Sequence, residues 1–220
     1  MYRRCDILII TGTQRAGTTL VASLFVDAGY FLGITNRDDV GGFENQTICS
    51  FYRDYLGDET FPYSDFPHDR PAITGVEQPF THIAGSFAFL DLPVVKFSYL
   101  CMNPTFVSIW HKFRPEEAYH DKFLILHRNP FHVIRSKKIK KERFNLDSVL
   151  IKQTAAALES NFAMSTQMIQ DFGYQNVIVP FKALITDFVI NNYLAELGVE
   201  VRILRTTWDT IFDSDKIHFR

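Results

Sequence analysis

A short apolar segment followed by a glycine and then by a helical pattern lies near the N-terminus of the chain. Residues 5–11 are almost wholly apolar and end at Gly12, as expected for a parallel strand buried on both faces. From residue 17 to residue 28 apolar side chains recur at helical spacing, and Gly29 is placed to end the helix. The pattern therefore predicts a strand, a glycine turn and a helix, in that order.

The same two periodicities alternate along the rest of the chain. Further strands are predicted at 93–97, 122–127, 176–180 and 200–204. The further predicted helices cover 43–56, 104–113 and 186–197, with one opening at Asn129-Pro130 and a long one running from a cap at Asn145 or Asp147 to about residue 171. Alternation of this kind is typical of α/β proteins, so we predict a central parallel sheet flanked by helices.

Residues 58–91 show no clear periodicity. The segment contains several prolines among many aromatic residues, and long irregular segments of this kind are usually functional, for example as a lid or a substrate loop. No internal repeat, low-complexity tract or domain boundary interrupts the pattern. We therefore expect residues 1–220 to form a single domain.

Composition excludes several classes of protein. The chain has 23 Lys and Arg against 25 Asp and Glu, a net charge of −2, which excludes a strongly basic protein that binds nucleic acid mainly by neutralising phosphates. Its cysteines, Cys5, Cys49 and Cys101, have no metal or disulfide spacing, which favours a reducing compartment. No apolar stretch approaches the ~20 residues that span a bilayer. We expect a soluble, cytoplasmic protein with no transmembrane segment, and the sequence indicates no oligomeric state.

The turn after the first predicted strand has the spacing of a phosphate loop. Gly12 and Gly17 give GxxxxG between a strand and a helix, where glycines let successive N–H groups point at one phosphate. Thr18 occupies the position at which nucleoside triphosphatases carry lysine, and the cation inside the loop is Arg15. The glycines alone are also compatible with a strand-to-helix turn that binds nothing.

Residues 14–20 read QRAGTTL, and residues 128–136 read RNPFHVIRS. These two segments resemble those with which sulfotransferases bind 3′-phosphoadenosine 5′-phosphosulfate: the first is similar to the family's 5′-phosphosulfate loop, and the second to the segment that binds the 3′-phosphate. The two segments come in the family's order, roughly 110 residues apart. The resemblance implies a three-layer, P-loop-like α/β fold, no required metal, and a donor site formed by Arg15, Ala16, Gly17, Thr18, Thr19, Arg128 and Ser136.

The chemistry of this donor is compatible with the two segments. The molecule carries a 5′-phosphate bearing a sulfonate and a separate 3′-phosphate, so a protein that binds it needs two anion sites. The turn of backbone amides with its threonines supplies one site, and the Arg128 guanidinium with the Ser136 hydroxyl supplies the other. Both segments follow predicted parallel strands, at whose carboxyl ends α/β sheets bind ligands. Taken singly, Arg128 would be interpreted as a surface ion pair and Ser136 as an ordinary helix hydroxyl.

Sulfonate transfer also needs a base and a group that stabilises charge on the leaving oxygen. Arg15 suits the second task, because it holds the family's basic position in the loop. The cytosolic branch of the family takes its base from a Lys-x-His segment, but this chain has Lys96-Phe97-Ser98 there. Glu44 is the candidate base, because residues 41–45, GGFEN, resemble a pattern of bacterial, carbohydrate-type members. The alternative for Glu44 is a first-turn glutamate favoured by the helix dipole. Glu77, His82 and His111 are further candidate bases that no motif supports. Lys96 would bind sulfonate or acceptor, although a lysine that ends a strand is usually solvated.

The predicted function is transfer of a sulfonate from 3′-phosphoadenosine 5′-phosphosulfate to a hydroxyl of a small-molecule, sugar or lipid acceptor. The product of the donor is adenosine 3′,5′-bisphosphate. Two alternatives stay open, a P-loop kinase that uses ATP and a nucleotide-binding protein that no longer catalyses. The acceptor pocket is expected to include the irregular segment at 58–91.

Overall fold

The computed structural model describes residues 7–13, 15–35, 42–56, 92–113, 120–140 and 148–211. The strands in these ranges are β1 (Leu8–Gly12), β2 (Val94–Lys96), β3 (Lys122–His127) and β4 (Gln175–Pro180). The helices are α1 (Thr18–Asp27), α2 (Gln46–Leu56), α3 (Pro104–Phe113), α4 (Pro130–Lys140), α5 (Ser148–Asp171), α6 (Phe181–Thr186), α7 (Ile190–Glu196) and α8 (Arg205–Ile211), with a 3₁₀ turn over Leu100–Met102.

The strands form one parallel sheet with the order β2-β1-β3-β4. Leu8 of β1 pairs with Val94 of β2 on one side and with Lys122 of β3 on the other. β3 pairs along its length with β4. The predicted parallel α/β fold is therefore confirmed. The carboxyl ends of the described strands lie at one edge of the sheet, which is where such sheets bind ligands.

Helices cover both faces of the sheet. On one face Ile7 and Ile9 pack with side chains of α2, α3 and α5, and on the other Leu8 and Ile10 pack with side chains of α1, α7 and α8. Successive residues of a strand point to opposite faces, so one unbroken apolar run supplies both cores. The predicted three-layer arrangement is confirmed.

Gly12 allows β1 and β3 to approach closely at the carboxyl edge. Its φ is 151°, a conformation that other residues rarely adopt. A Cβ atom at this position would overlap the carbonyl oxygen of Leu126 in β3. The next residue, Thr13, donates its backbone N–H to that same oxygen at 2.9 Å. Glycine at this position therefore determines where the loop leaves the sheet.

Replacing Gly12 by alanine is expected to lower the free energy of unfolding by about 3 kcal/mol, because backbone strain and steric overlap add. Urea unfolding followed by circular dichroism measures the change. Gly173→Ala is the matched control, since Gly173 also has positive φ (78°) but a Cβ there meets nothing within 4 Å. We expect the control to cost about 1–2 kcal/mol. Equal costs at the two positions would show that the approach to Leu126 is unimportant.

The predicted strand at 200–204 is wrong. Ile203 is buried, but its backbone N–H and C=O bond to the side-chain amide of Asn191 at 2.9 Å each. An asparagine side chain on α7 thus takes the place of a neighbouring strand. Of the apolar residues in this segment, only Ile203 is buried, and none pairs with a strand of the described sheet.

Four helices also differ from the pattern. The helix predicted at 186–197 begins at Ile190, because Asp187 is extended (φ −138°, ψ 149°) and separates it from α6. The helix predicted from residue 43 begins at Gln46. The short helices α6 and α8 were not predicted, since neither has enough turns to show a clear period.

Cys49 and Cys101 are buried free thiols in the described part of the chain. Burial raises the pKa of the Cys101 thiol to about 12 and that of Cys49 still further. None of the helices in the described ranges combines the length and the apolar character needed to cross a bilayer. The predicted acceptor segment at 58–91 lies outside the described residues.

Candidate active site

The glycine loop ends at the N-terminus of α1. Gly17 is the N-cap residue in a left-handed conformation (φ 88°), and as a glycine it has no side chain with which to cap the helix. The first N–H groups of a helix have no intrahelical acceptor, so those of Thr18 and Thr19 are open to an anion at the carboxyl edge of the sheet. A Cβ on Gly17 would lie 2.9 Å from the ring of Phe181, so the loop also packs closely against α6.

Arg128 contacts the same loop from the end of β3. Its backbone N–H donates to Thr13 Oγ1 at 3.0 Å, and its Nη1 donates to the carbonyl oxygen of Arg15 at 2.9 Å. Its guanidinium carbon lies 4.7 Å from the centroid of the Phe181 ring. The fold therefore joins the two segments that carry the sequence resemblance, which are more than a hundred residues apart.

Two cationic side chains meet at this loop. Burial lowers the pKa of the Arg128 guanidinium, and the positive charge of Arg15 lowers it further. Arg15 itself has φ 59°, a left-handed conformation that is uncommon outside glycine and often marks functional sites. An anion bound beside both guanidinium groups would relieve their repulsion.

Lys96 and Glu44 form a buried ion pair beside the loop. Lys96 Nζ lies 2.7 Å from Glu44 Oε1, and the two side chains are only 1% and 8% exposed. The ammonium group also donates to the carbonyl oxygen of Gly42 at 2.7 Å and to Thr19 Oγ1 at 3.2 Å. The expectation of a solvated lysine at the end of β2 is therefore wrong: the side chain is directed inward, between the sheet and α1.

Ser98 holds both oxygens of the Glu44 carboxylate. Its backbone N–H donates to Oε2 at 3.0 Å, and its hydroxyl donates to Oε1 at 2.6 Å. The same hydroxyl oxygen lies 2.9 Å from Thr18 Oγ1 in the phosphate loop. From the sequence, Ser98 was noted only because it stands where the Lys-x-His segment of other sulfotransferases has its histidine, and its contact with Glu44 was not predicted. The one sequence feature that pointed to it was a short polar residue two positions after a lysine at the end of a strand.

The residues on either side of Glu44 fix the backbone from which its side chain extends. Phe43 has φ 71°, and Asn45 donates its backbone N–H to the carbonyl oxygen of Lys96 at 3.0 Å. Asn45 Oδ1 accepts the N–H of Ile48 at 3.1 Å, so Asn45 caps α2. Glu44 thus precedes the helix, and its interpretation as a first-turn glutamate is wrong.

The remaining candidate residues are placed as follows. Ala16 is buried in the loop. Ser136 belongs to α4, but its side chain lies outside the described part, as do Glu77 and His82, two further base candidates. His111, the third, lies in the last turn of α3, where its ring stacks on Phe172 and hydrogen-bonds to Tyr174. Tyr174 immediately precedes β4, so this contact is at the amino-terminal edge of the sheet. His111 is therefore remote from the loop.

The fold and these contacts define a three-layer parallel α/β protein with a polar site at its first strand-to-helix turn. It is similar to the sulfotransferase domain from the curacin biosynthetic pathway, with 16% identity, coverage of 91% of this chain and 76% of that chain, and a TM-score of 0.45. It is also similar to the sulfotransferase domain from the Synechococcus PCC 7002 olefin synthase, with 18% identity, coverage of 90% and 74%, and a TM-score of 0.46. No protein-family model and no curated protein matches the chain. At these values the similarity assigns no donor, acceptor or catalytic residue.

Proposed function

We propose that the protein is a sulfotransferase that moves a sulfonate group from 3′-phosphoadenosine 5′-phosphosulfate to a hydroxyl of a small-molecule, sugar or lipid acceptor. One observation carries the proposal. The phosphate loop has two partners. Thr18 of the loop contacts Ser98, which binds the buried carboxylate of Glu44, and Arg15 of the loop accepts a hydrogen bond from Arg128. We propose further that the chain acts as one domain and that residues 58–91 contribute to the acceptor pocket.

The loop and Arg128 suit the two anionic ends of the donor. The N-terminus of α1, where the N-cap residue is a glycine, would receive the 5′-phosphosulfate, with Ala16, Gly17, Thr18 and Thr19 presenting the backbone. Arg128 would bind the 3′-phosphate together with the Ser136 hydroxyl. The lowered pKa of Arg128 supports this, because burial beside a second cation is offset when an anion binds.

Glu44 is the proposed base, and its hydrogen bonds indicate which oxygen reacts. Oε1 accepts from both Lys96 Nζ and Ser98 Oγ, whereas Oε2 accepts from the Ser98 N–H. Each carboxylate oxygen has two lone pairs, and Oε2 uses one of them in its contacts with the described residues, so the other can take the proton of an acceptor hydroxyl. The acceptor oxygen forms a bond to sulfur as its proton passes to Oε2 and the bond from sulfur to the phosphate oxygen breaks.

Charge that develops on the leaving phosphate oxygen needs donors already in place. The N–H groups at the start of α1 and the Arg15 guanidinium meet that need in this proposal. Lys96 binds Glu44, Gly42 and Thr19 with its ammonium group, so in this state it orients the base and the loop. In this proposal Glu44 acts as the base on one side of the sulfonate, and the N–H groups of α1 with the Arg15 guanidinium stabilise the leaving oxygen on the other.

Isothermal titration calorimetry separates this proposal from the kinase alternative. We expect adenosine 3′,5′-bisphosphate to bind in the presence of EDTA and more tightly than AMP, which lacks the 3′-phosphate. A kinase would instead bind ATP only with magnesium, because a triphosphate needs that counter-charge where Thr18 replaces lysine. Binding of ATP with magnesium and none of the bisphosphate would contradict the proposal.

Replacing Arg128 by alanine is expected to weaken binding of adenosine 3′,5′-bisphosphate by about 10- to 100-fold, since a charge-assisted hydrogen bond is lost. Binding of AMP should change by less than about threefold, well below the effect of one charged hydrogen bond. Arg205→Ala is the matched control, because Arg205 is exposed and pairs with Asp209 on α8. Equal losses for the two nucleotides would mean that Arg128 supports the loop and does not contact the 3′-phosphate.

Transfer of a labelled sulfonate separates an enzyme from a protein that only holds the nucleotide. The wild-type protein is incubated with ³⁵S-labelled donor and 2-naphthol, N-acetylglucosamine or cholesterol, which represent phenol, sugar and lipid hydroxyls. Label in any acceptor, or release of labelled sulfate to water above the rate without protein, supports the proposal. Tight binding of the bisphosphate without either outcome would favour the non-catalytic alternative.

A further inference from the structure

Two neighbouring hydroxyl groups of the phosphate loop are bonded to different partners. Thr18 Oγ1 lies 2.9 Å from Ser98 Oγ, in a buried contact. Thr19 Oγ1 lies 3.2 Å from the Lys96 ammonium group. Each hydroxyl has a single proton to donate, so these contacts determine which of the two can donate to a bound phosphate.

The proton of Thr18 is committed to Ser98 whenever Glu44 is ionised, as a base must be before it reacts. A carboxylate only accepts hydrogen bonds, so the 2.6 Å contact between Ser98 Oγ and Glu44 Oε1 requires Ser98 to donate. The serine proton is then used, and in the contact between the two hydroxyls Thr18 must be the donor. The hydrogen bonds therefore run from Thr18 to Ser98 to Glu44.

Thr19 is in the opposite situation. An ammonium group only donates, so Thr19 Oγ1 is the acceptor in its contact with Lys96. That contact leaves the Thr19 proton available for an anion at the N-terminus of α1. It also draws electron density from the hydroxyl, which makes it a stronger donor.

We propose that the two loop threonines have different roles: Thr19 donates its hydroxyl proton to the 5′-phosphate, whereas Thr18 and Ser98 are positioning residues for Glu44. This inference rests on the proposed function. It departs from the simple expectation that both hydroxyl groups bind phosphate. Thr18 contributes its backbone N–H to the anion, and its side chain contributes to the base.

The arrangement also links donor binding to the orientation of the base. The backbone of Thr18 forms the first turn of α1, where the phosphate would bind, and its side chain holds Ser98. Ser98 in turn holds both oxygens of Glu44. A shift of the first turn would therefore move the carboxylate, and a misplacement of about 1 Å can lower a rate by roughly 10²-fold.

Valine and alanine substitutions separate the two roles. Thr19→Val should weaken binding of adenosine 3′,5′-bisphosphate by about tenfold, measured by calorimetry in EDTA. Thr18→Val and Ser98→Ala should leave that Kd within about threefold, less than one hydrogen bond to a charged group contributes. The same two variants should lower kcat for transfer of the ³⁵S-labelled sulfonate from the donor to water or 2-naphthol by about 10- to 100-fold, with KM for the donor nearly unchanged.

Thr18→Ser and Ser98→Thr are the matched controls, because each keeps the hydroxyl group and changes only a methyl group. Both should retain kcat within about threefold if the hydroxyl acts by positioning Glu44. If Thr18 and Ser98 acted only through packing, kcat would not differ between the variants that keep the hydroxyl and those that lose it, because lost packing lowers stability in either case. If Ser98→Ala does not fold, Thr18→Val and Ser98→Thr decide the question.

The outcomes distinguish this inference from the proposed function. A wild-type protein that neither binds the bisphosphate nor transfers sulfonate overturns both. A wild-type protein that does both, combined with equal loss of nucleotide binding in Thr18→Val and Thr19→Val, overturns the division of roles alone. Full kcat in Ser98→Ala likewise overturns it and leaves the sulfotransferase proposal standing.

Discussion

Glu44→Gln is expected to lower kcat for sulfonate transfer by about 10²- to 10⁴-fold, the range that a general base contributes. Glutamine has nearly the same shape, but its amide cannot take the proton of an acceptor hydroxyl. We expect the Kd for adenosine 3′,5′-bisphosphate to rise by no more than about threefold, because the proposed phosphate donors are untouched. Transfer from ³⁵S-labelled donor and calorimetry measure the two quantities on one preparation.

Glu159→Gln is the matched control for this substitution. Glu159 lies on α5 with its side chain 54% exposed and 3.6 Å from His127, outside the proposed machinery. Its variant should transfer sulfonate at the wild-type rate. If Glu44→Gln also reacts at the wild-type rate, Glu44 serves only as the buried counter-ion of Lys96, and the base must be sought elsewhere. If nucleotide binding falls as far as kcat, the substitution has disturbed the loop and not the chemistry.

Lys96→Met is expected to lower the free energy of unfolding by about 3–5 kcal/mol, the usual cost of breaking a buried ion pair from one side. Methionine fills a similar volume, but it leaves the Glu44 carboxylate buried without its cationic partner and removes the bonds to Gly42 and Thr19. Urea unfolding of the purified protein measures the change. We expect sulfonate transfer to be lost as well, because the base is then no longer oriented.

Lys122→Met and the double variant Lys96→Met with Glu44→Gln are the controls. Lys122 donates to the carbonyl oxygen of Gly198 in an exposed contact, so its loss should cost less than about 1 kcal/mol. The double variant should be more stable than the sum of its single variants predicts, because the unpaired carboxylate is gone. A cost below about 1 kcal/mol for Lys96→Met would show that water reaches the pair and that the site is more open than its burial indicates.

The strands in the middle of the sheet were predictable because the central residues of a strand buried on both faces must be apolar. Residues 122–127 illustrate this, since the predicted and observed strand coincide. The prediction failed at 200–204, where Ile203 is buried but its backbone is bonded by the Asn191 side chain, and Glu200, Arg202 and Leu204 are exposed. Apolar content measures removal from water, and it does not distinguish a strand from a loop whose backbone bonds to a side chain.

Part of the candidate site was predictable from local pattern. The positions of Gly12 and Gly17 between a strand and a helix indicated a loop that presents N–H groups, and α1 begins at Thr18. The resemblance of residues 128–136 suggested that Arg128 acts with that loop, and β3 lies next to β1 in the sheet. The roles of these residues in binding and catalysis stay predictions.

The sequence by itself determined the layered α/β class, the glycine loop and the residue types available for binding an anion, because periodicity and glycine geometry act over a few neighbouring residues. Only the tertiary structure decided that Lys96 is buried against Glu44, that Ser98 holds the carboxylate, and that Thr18 and Thr19 have different partners. These contacts join β2, α1 and the segment before α2, which are far apart in sequence. Whether a lysine at a strand end is solvated or paired depends on what the fold packs over it, and no local pattern carries that information.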